Sequence, residues 1–169
     1  YSMTSYLSRV NYCYDDRYLF TATIRSHGSS RFGKNRRWGT FPSVSVGWRI
    51  SEEDFMKNVD QISDLKIRAG YGISGNNRIG DYASIGLLNA GYYPTGGTLQ
   101  NTVDVNAESM ANANLGWEKT RQYNLSFEFG LANDRVRVEG DFYDSQSLDL
   151  LLDVPVPTIT GYLSQFQDI

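Results

Sequence analysis

The chain has 169 residues, a formal net charge of −3 and 21% charged residues, long enough for one domain and without the broad basic field that nucleic-acid binding relies on. Aromatics reach 14%, with 12 Tyr and 8 Phe, yet mean hydropathy is −0.43, so apolar rings are interleaved with a polar majority rather than gathered into blocks. One cysteine, Cys13, and one histidine, His27, exclude a disulfide framework, a multi-cysteine zinc site and a His-rich metal centre.

Period two dominates from the start. Tyr6, Val10, Tyr12 and Tyr14 alternate with Ser5, Arg9, Asn11 and Cys13; after Asp15-Asp16 the pattern resumes with Tyr18, Phe20, Ala22 and Ile24 against Arg17, Thr21, Thr23 and Arg25. Two such runs about a short polar break predict a β-hairpin. Residues 26–38, rich in Gly, Ser, Asn and Arg, predict a loop. A third strand carries Pro42, Val44, Val46, Trp48 and Ile50 on one face. Ser51-Glu52-Glu53-Asp54, a hydroxyl followed by acids, predicts a short helix start. A fourth strand opens at Leu65 with Ile67, Ala69, Tyr71 and Ile73 on its apolar face.

Residues 75–116 show no sustained period and predict one long insertion, a length that is usually functional. Its charge-free run from Tyr82 to Val103 is too rich in Gly, Pro, Asn and Gln for a membrane helix. Alternation returns with Tyr123, Leu125, Phe127, Phe129 and Leu131, turns at Ala132-Asn133-Asp134, and continues in a sixth strand with Val136, Val138 and Phe142. That strand is expected to extend through Leu148, Leu150 and Leu152 until Pro155 and Pro157 end it.

The strand cores run about nine to eleven residues, the length a tilted strand needs to cross hydrocarbon, against about five to six in many soluble strands. Tight and long connections alternate, which in an up-and-down sheet gathers the turns at one end and the long loops at the other. Tyr14, Tyr18 and Trp48 fall near strand ends, where an interfacial girdle would stand. The pattern alone supports two architectures: a transmembrane β-barrel, or a soluble β-sandwich or lipocalin-like barrel serving as a carbohydrate-binding module. The chain begins at Tyr1 and ends at Ile169 without an initiator Met or an evident stop, and is expected to be an excerpt of a longer protein.

The segments Tyr18–Arg25, Gly28–Gly33, Thr40–Glu53, Leu65–Asn76, Leu115–Thr120 and Asp149–Pro157, taken in order along the chain, resemble the SusC/RagA-type TonB-linked outer-membrane proteins of Bacteroidetes. The resemblance implies an all-β, antiparallel up-and-down transmembrane barrel of the 22-stranded plugged type, of which residues 1–169 supply about six strands and long extracellular loops. It implies TonB-dependent uptake of a glycan or peptide with an extracellular SusD-like lipoprotein as lid. The implied location is the cell outer membrane, in contact with its lipid. The plug domain and TonB box belong upstream in such proteins and lie outside these residues.

No nucleophile, base and orienting partner assemble in the sequence, so no enzyme is expected, nor any cofactor. Glu52, Glu53 and Asp54 read as helix-start charges rather than a glycosidase pair. Gly70–Gly75 lacks the Lys-Ser/Thr of a phosphate loop, and Asp81, Asp104 and Glu108 lack EF-hand spacing, so no metal site is expected. His27 and Cys13 read as structural. Arg31, Lys34, Arg36 and Arg37 with Trp38 in the first long loop are candidates for contact with lipopolysaccharide phosphates or a partner protein. In the second, Tyr92 and Tyr93 offer flat faces for sugar rings or peptide side chains, and Asn76, Asn77, Arg78 and Asp81 offer directional hydrogen bonds.

Overall fold

A computed structural model describes residues 1–57, 59, 61–86, 88–95, 98–133 and 135–169, without the side chains of 88–95 and 98–108. The alternating runs become β1 (Met3–Tyr14), β2 (Tyr18–Ser29), β3 (Trp38–Arg49), β4 (Ile62–Asn76), β7 (Glu118–Leu131) and β8 (Val136–Leu148). They form one antiparallel six-stranded sheet in the order β1-β2-β3-β4-β7-β8. Between them in sequence lie β5 (Leu88–Thr95) and β6 (Thr98–Met110), and after them β9 (Leu151–Pro155) and β10 (Tyr162–Asp168). These four make a second sheet in the order β5-β6-β10-β9, with β6 and β10 parallel.

Register turns the sequence parity into continuous rows across the large sheet. One row reads Tyr12, Phe20, Val46, Ala69, Leu125 and Phe142; its neighbour on the opposite face reads Asn11, Thr21, Ser45, Gly70, Asn124 and Tyr143. A slip of one residue on any strand would send its apolar set to the polar side. The apolar face is uncovered: Tyr12, Val46, Leu125 and Phe142 remain 59, 50, 50 and 66% exposed. A sandwich would bury this face against its second sheet, so the soluble-sandwich architecture is not the one observed.

The rows also climb. The row through Val10, Tyr123 and Asp144 lies four residues from Tyr14 at the turn end of β1, but eight from Leu131 on β7 and eight from Val136 on β8. Such a stagger is the shear of a tilted barrel wall. Aromatics bound the apolar band at both ends. Tyr14, Tyr18 and Trp48 form one row at the tight-turn end. At the other, Trp38 stacks on Tyr6 at 5.7 Å and 16°, its ring occupying the space where a Cβ on Gly28 would stand at 2.8 Å. Trp38 and Trp48 are ten residues apart on β3, about 33 Å along the strand at ~3.3 Å per residue. With a tilt of ~40° this is roughly 25 Å along the axis, the height of an outer-membrane barrel's apolar band.

The tight turns use left-handed residues. Asp15 and Asp16 have φ of 52° and 50°, with Arg17 N–H donating to the Tyr14 carbonyl at 3.0 Å, a type I′ turn whose twist suits a hairpin. Ala132 and Asn133 take the same conformation between β7 and β8. The expected helix after β3 is instead a 3₁₀ turn over Ile50–Glu52. Ser51 Oγ bonds Asp64 at 3.4 Å rather than capping, while Glu53 Oε1 accepts from Tyr18 Oη at 2.7 Å and Trp48 Nε1 at 3.0 Å. Arg17 Nη1 adds a 3.4 Å ion pair with Glu53. These bonds hold Glu53 in extended backbone, where a helix cannot continue.

Three further expectations are corrected. The loop expected at 26–38 spans only 30–37, because β2 continues to Ser29 and β3 begins at Trp38. The insertion at 75–116 contains the β5-β6 hairpin. The sixth strand stops at Leu148: Asp149 has a φ of 55° and its carboxylate pairs with Lys119 at 2.8 Å, so Leu152 belongs to β9 in the other sheet. Pro155, expected to end the sixth strand, is instead the last residue of β9.

A cation in the middle of the apolar face tests its environment. In the full-length protein in lipid vesicles, Leu125→Lys is expected to lower unfolding stability by about 2–4 kcal/mol in a denaturant titration; unchanged stability would place this row in water. The donated bonds from Trp48 and Tyr18 hold the Glu53 carboxyl below its ordinary value. Its contribution is therefore present above that ordinary value and lost as pH falls through the depressed folded one. Trp48 fluorescence followed through acid titration is expected to report this release, and Glu53→Gln is expected to abolish that transition.

Candidate functional site

The buried apolar residues among those described are Phe32, Phe41, Ile79, Ala83, Leu115 and Trp117. They lie at the long-loop end of the sheet, beginning on the polar face at Phe41, which shares that face of β3 with Ser43 and Ser45. Trp117, just before β7, is the centre of the group. Its ring meets Phe32 at 4.7 Å and the edge of Phe41 at 5.4 Å, and its Nε1–H donates to the Arg37 carbonyl at 3.1 Å. Gly33 N–H donates to the Leu115 carbonyl at 3.1 Å, and Asn35 Nδ2 to Asn114 Oδ1 at 3.0 Å. Loop 30–37 is thereby joined to the segment leading into β7.

The first-loop candidates separate. Arg31 Nε pairs with Asp81 at 2.7 Å, its Nη1 donates to the Asn77 carbonyl at 3.3 Å, and its guanidinium lies 3.8 Å over the Tyr1 ring. Arg36 Nη1 pairs with Asp168 of β10 at 2.8 Å. Arg31 therefore clamps loop 30–37 to the segment after β4, and Arg36 clamps it to β10. Lys34 and Arg37 are exposed, with no salt bridge among the described residues. Trp38 is in β3, stacked on Tyr6 on the outward face.

The second-loop candidates divide as well. Asn76 ends β4 and its Oδ1 accepts from Arg78 N–H at 3.0 Å. Asn77 and Asp81 are held by Arg31, while Arg78 is exposed. Tyr92 and Tyr93 lie on the backbone of β5, paired with Asn101 and Gln100; their side chains lie outside the described residues. Asp104 and Glu108 lie on the backbone of β6, and their side chains are likewise outside them. Among the described residues no three His, Cys, Asp or Glu side chains group as metal ligands.

The sequence reading missed the loop core. Leu115 and Trp117 flank a glycine in an aperiodic stretch, where they stood out in the family resemblance but no periodic face marked them as core. It also assigned no joint role to the polar face below that core. There Arg9, Arg25 and His27 border a cavity of about 440 Å³ across β1 to β7. His27 Nδ1 is hydrogen-bonded to Ser5 Oγ at 2.7 Å, and its ring packs 5.8 Å from Phe41 and 6.1 Å from Trp117. The cavity thus lies directly beneath the folded loops.

The family model described as TonB dependent receptor-like, beta-barrel, matches residues 2–168. TonB-dependent receptor P39 of Formosa agariphila is 45% identical over 163 residues, covering 96% of this chain and 15% of that protein. TonB-dependent receptor SusC of Bacteroides thetaiotaomicron is 44% identical over 169 residues, covering 97% of this chain and 17% of that protein. The chain thus spans less than a fifth of the length of these curated relatives. The RagAB peptide importer in its open-open state superposes with a TM-score of 0.86 at 34% identity, over 99% of this chain and 18% of the matched one.

The loop core depends on close approach at Gly75, where a Cβ would run into the Phe41 ring. Gly75→Val is expected to displace Phe41 at a cost of about 1–3 kcal/mol. Hydrogen exchange should then rise at 30–37, 77–86 and 112–117 and stay unchanged at the β1-β2 turn; unchanged exchange in the loops would remove Phe41 as their seat.

Proposed function

The chain belongs to the TonB-dependent receptor-like β-barrel family, and on that premise we propose that residues 1–169 form part of the wall and the extracellular loops of an outer-membrane nutrient importer. The observation that carries the reading is an uncovered apolar face bounded at both ends by aromatic side chains, with ion-paired cations on the other face. Lys66 and Arg68 share Glu128 at 3.2 and 3.0 Å there, where a water-filled or plugged lumen solvates them. No described helix is long and apolar enough to cross a membrane; in this reading the strands cross it.

In the bilayer every backbone polar group needs a partner. β1 and β8 each have one neighbour in the large sheet, so their free edges pair with other strands of a closed barrel. The plug fills the lumen, TonB energises uptake, and a SusD-like lipoprotein closes over the long-loop end. The cargo is a glycan or oligopeptide, and the peptide importer named in the structural comparison supports the latter. Tyr92, Tyr93 and Arg78 are the loop groups proposed to touch it, with Asn76, Asn77 and Asp81 shaping the loop. Lys34 and Arg37 are proposed to meet lipopolysaccharide phosphates or the lid, beside Arg31, Arg36 and Trp38.

The intact protein is expected in the outer-membrane fraction with heat-modifiable migration on a gel; recovery as a soluble monomer without detergent would contradict the proposal. Replacing Tyr92 and Tyr93 together by Ala in the full-length receptor is expected to lower substrate affinity about tenfold, the loss of one stacking contact. Unchanged affinity and uptake would remove them from the site.

A further inference from the structure

The hydroxyl groups of β1–β3 divide by face. On the polar face they are bonded to neighbours: Ser5 Oγ to His27 Nδ1 at 2.7 Å, Thr23 Oγ1 to Arg9 Nε at 3.2 Å and Thr21 Oγ1 to Asn11 Oδ1 at 3.0 Å. On the outward face Thr4, Ser26 and Thr40 make no side-chain hydrogen bond among the described residues. The indoles divide too. Trp48 and Trp117 donate Nε1–H to Glu53 and to the Arg37 carbonyl, whereas Trp38 Nε1 has no acceptor among the described residues and its side chain is exposed on the outward face.

Register gathers these groups in two adjacent rows at the long-loop margin of the apolar band. One row holds Thr4, Gly28 and Trp38, the next Tyr6, Ser26 and Thr40, and Tyr6 stacks on Trp38. Below them, toward the tight turns, Val10, Ile24, Pro42, Val44 and Tyr71 border an open groove of about 460 Å³ with no charged side chain in its lining. The groove exists because Ala22 stands between Val10 and Val44 in register, and its single methyl leaves that row hollow. β2 and β3, which carry the centre of this surface, have both neighbours in the sheet. A flat ring with hydroxyls around it suits a sugar, and an apolar groove suits an alkyl chain. Stacked one above the other, they match a single amphiphile with a sugar headgroup. A phosphoglycerol headgroup has no flat C–H face to lay on an indole. Lys34 and Arg37, exposed in the loop leading into Trp38, add positive charge at that margin, which favours a phosphorylated sugar.

We propose that this part of the outward wall is a seat for the lipid A portion of lipopolysaccharide, with a sugar ring on Trp38 and an acyl chain in the groove over Ala22. The assignment rests on the importer reading above, which puts the long-loop end of the wall in the outer leaflet. It goes beyond contact through loop cations, because the membrane-facing side chains of β1–β3 themselves select a glycolipid.

The test is native mass spectrometry of the delipidated full-length receptor in detergent, titrated with monophosphoryl lipid A or with phosphatidylglycerol, which supplies acyl chains and a phosphate without a sugar ring. The receptor is expected to hold lipid A at concentrations where phosphatidylglycerol stays unbound. Trp38→Ala is expected to weaken lipid A binding about tenfold, the loss of one stacking contact, and Trp38→Phe to keep most of the affinity. Ala22→Phe, which fills the groove, is expected to weaken binding as well, while Arg135→Gln at the opposite end of the sheet leaves it unchanged. Heat-modifiable migration shows which variants are folded. Equal binding of phosphatidylglycerol, or full affinity for lipid A in folded Trp38→Ala or folded Ala22→Phe, would overturn the proposal. So would a receptor dimer that Trp38→Ala dissociates, which would give the patch to a second copy of the chain. Recovery as a soluble monomer contradicts the importer reading itself, whereas a membrane-embedded receptor that ignores lipid A contradicts only this site.

Discussion

The structure depends on strand pairing that keeps every row of side chains on one side of the sheet. Twelve-residue hairpin arms β1 and β2 pair without a bulge from Met3–Ser29 to Tyr14–Tyr18, and β3, β4, β7 and β8 continue the same rows apart from one register shift at Ile62–Asp64, where β4 begins. Because side chains alternate with period two, uninterrupted register is what makes one face wholly different from the other. A bilayer imposes the same arrangement for a separate reason, since an unpaired amide or carbonyl in hydrocarbon costs several kcal/mol. The pairing that satisfies the backbone therefore also sorts the side chains.

That sorting moves the hydrophobic core. In a soluble sandwich the apolar rows would meet each other; here they face outward, and the chain's own buried apolar cluster forms under the long loops around Trp117. The two ends of the sheet are fastened differently as a result. The tight-turn end is held by polar bonds to one carboxylate, Glu53. The long-loop end is held by ring packing and by Arg31 and Arg36, which reach Asp81 and Asp168 across loops. Loops anchored in this way pack onto Phe41 and His27, the side chains at the long-loop end of the polar face.

Local alternation made six strands and their faces readable, because each strand has one apolar and one polar side and a two-period signal needs nothing else. It was passed over where the alternating run is short and its apolar residues small. Within β6, Val103, Val105 and Ala107 alternate with Thr102, Asp104, Asn106 and Glu108, but Asn101 and Ser109 interrupt that face on either side, and the strand shows itself by its backbone pairing with β5 and β10. The expected helix at Ser51 failed for a tertiary reason: Glu53 makes its bonds to Trp48 and Tyr18 instead of serving a helix start. Of the candidate loop residues, charge and residue type identified Arg31 and Asp81, but only the fold shows them spent on each other.

The central claim is that the two faces of the sheet meet different solvents. It is tested most directly by nitroxide labels placed singly along β3 and β7 at positions 44, 45, 46, 124, 125 and 126 of the full-length receptor in lipid vesicles. Collision with dissolved oxygen, which concentrates in hydrocarbon, is expected to be high at 44, 46 and 125 and low at 45, 124 and 126. Equal oxygen collision at all six, or preferential collision of 44, 46 and 125 with a water-soluble relaxant, would contradict a lipid-facing wall.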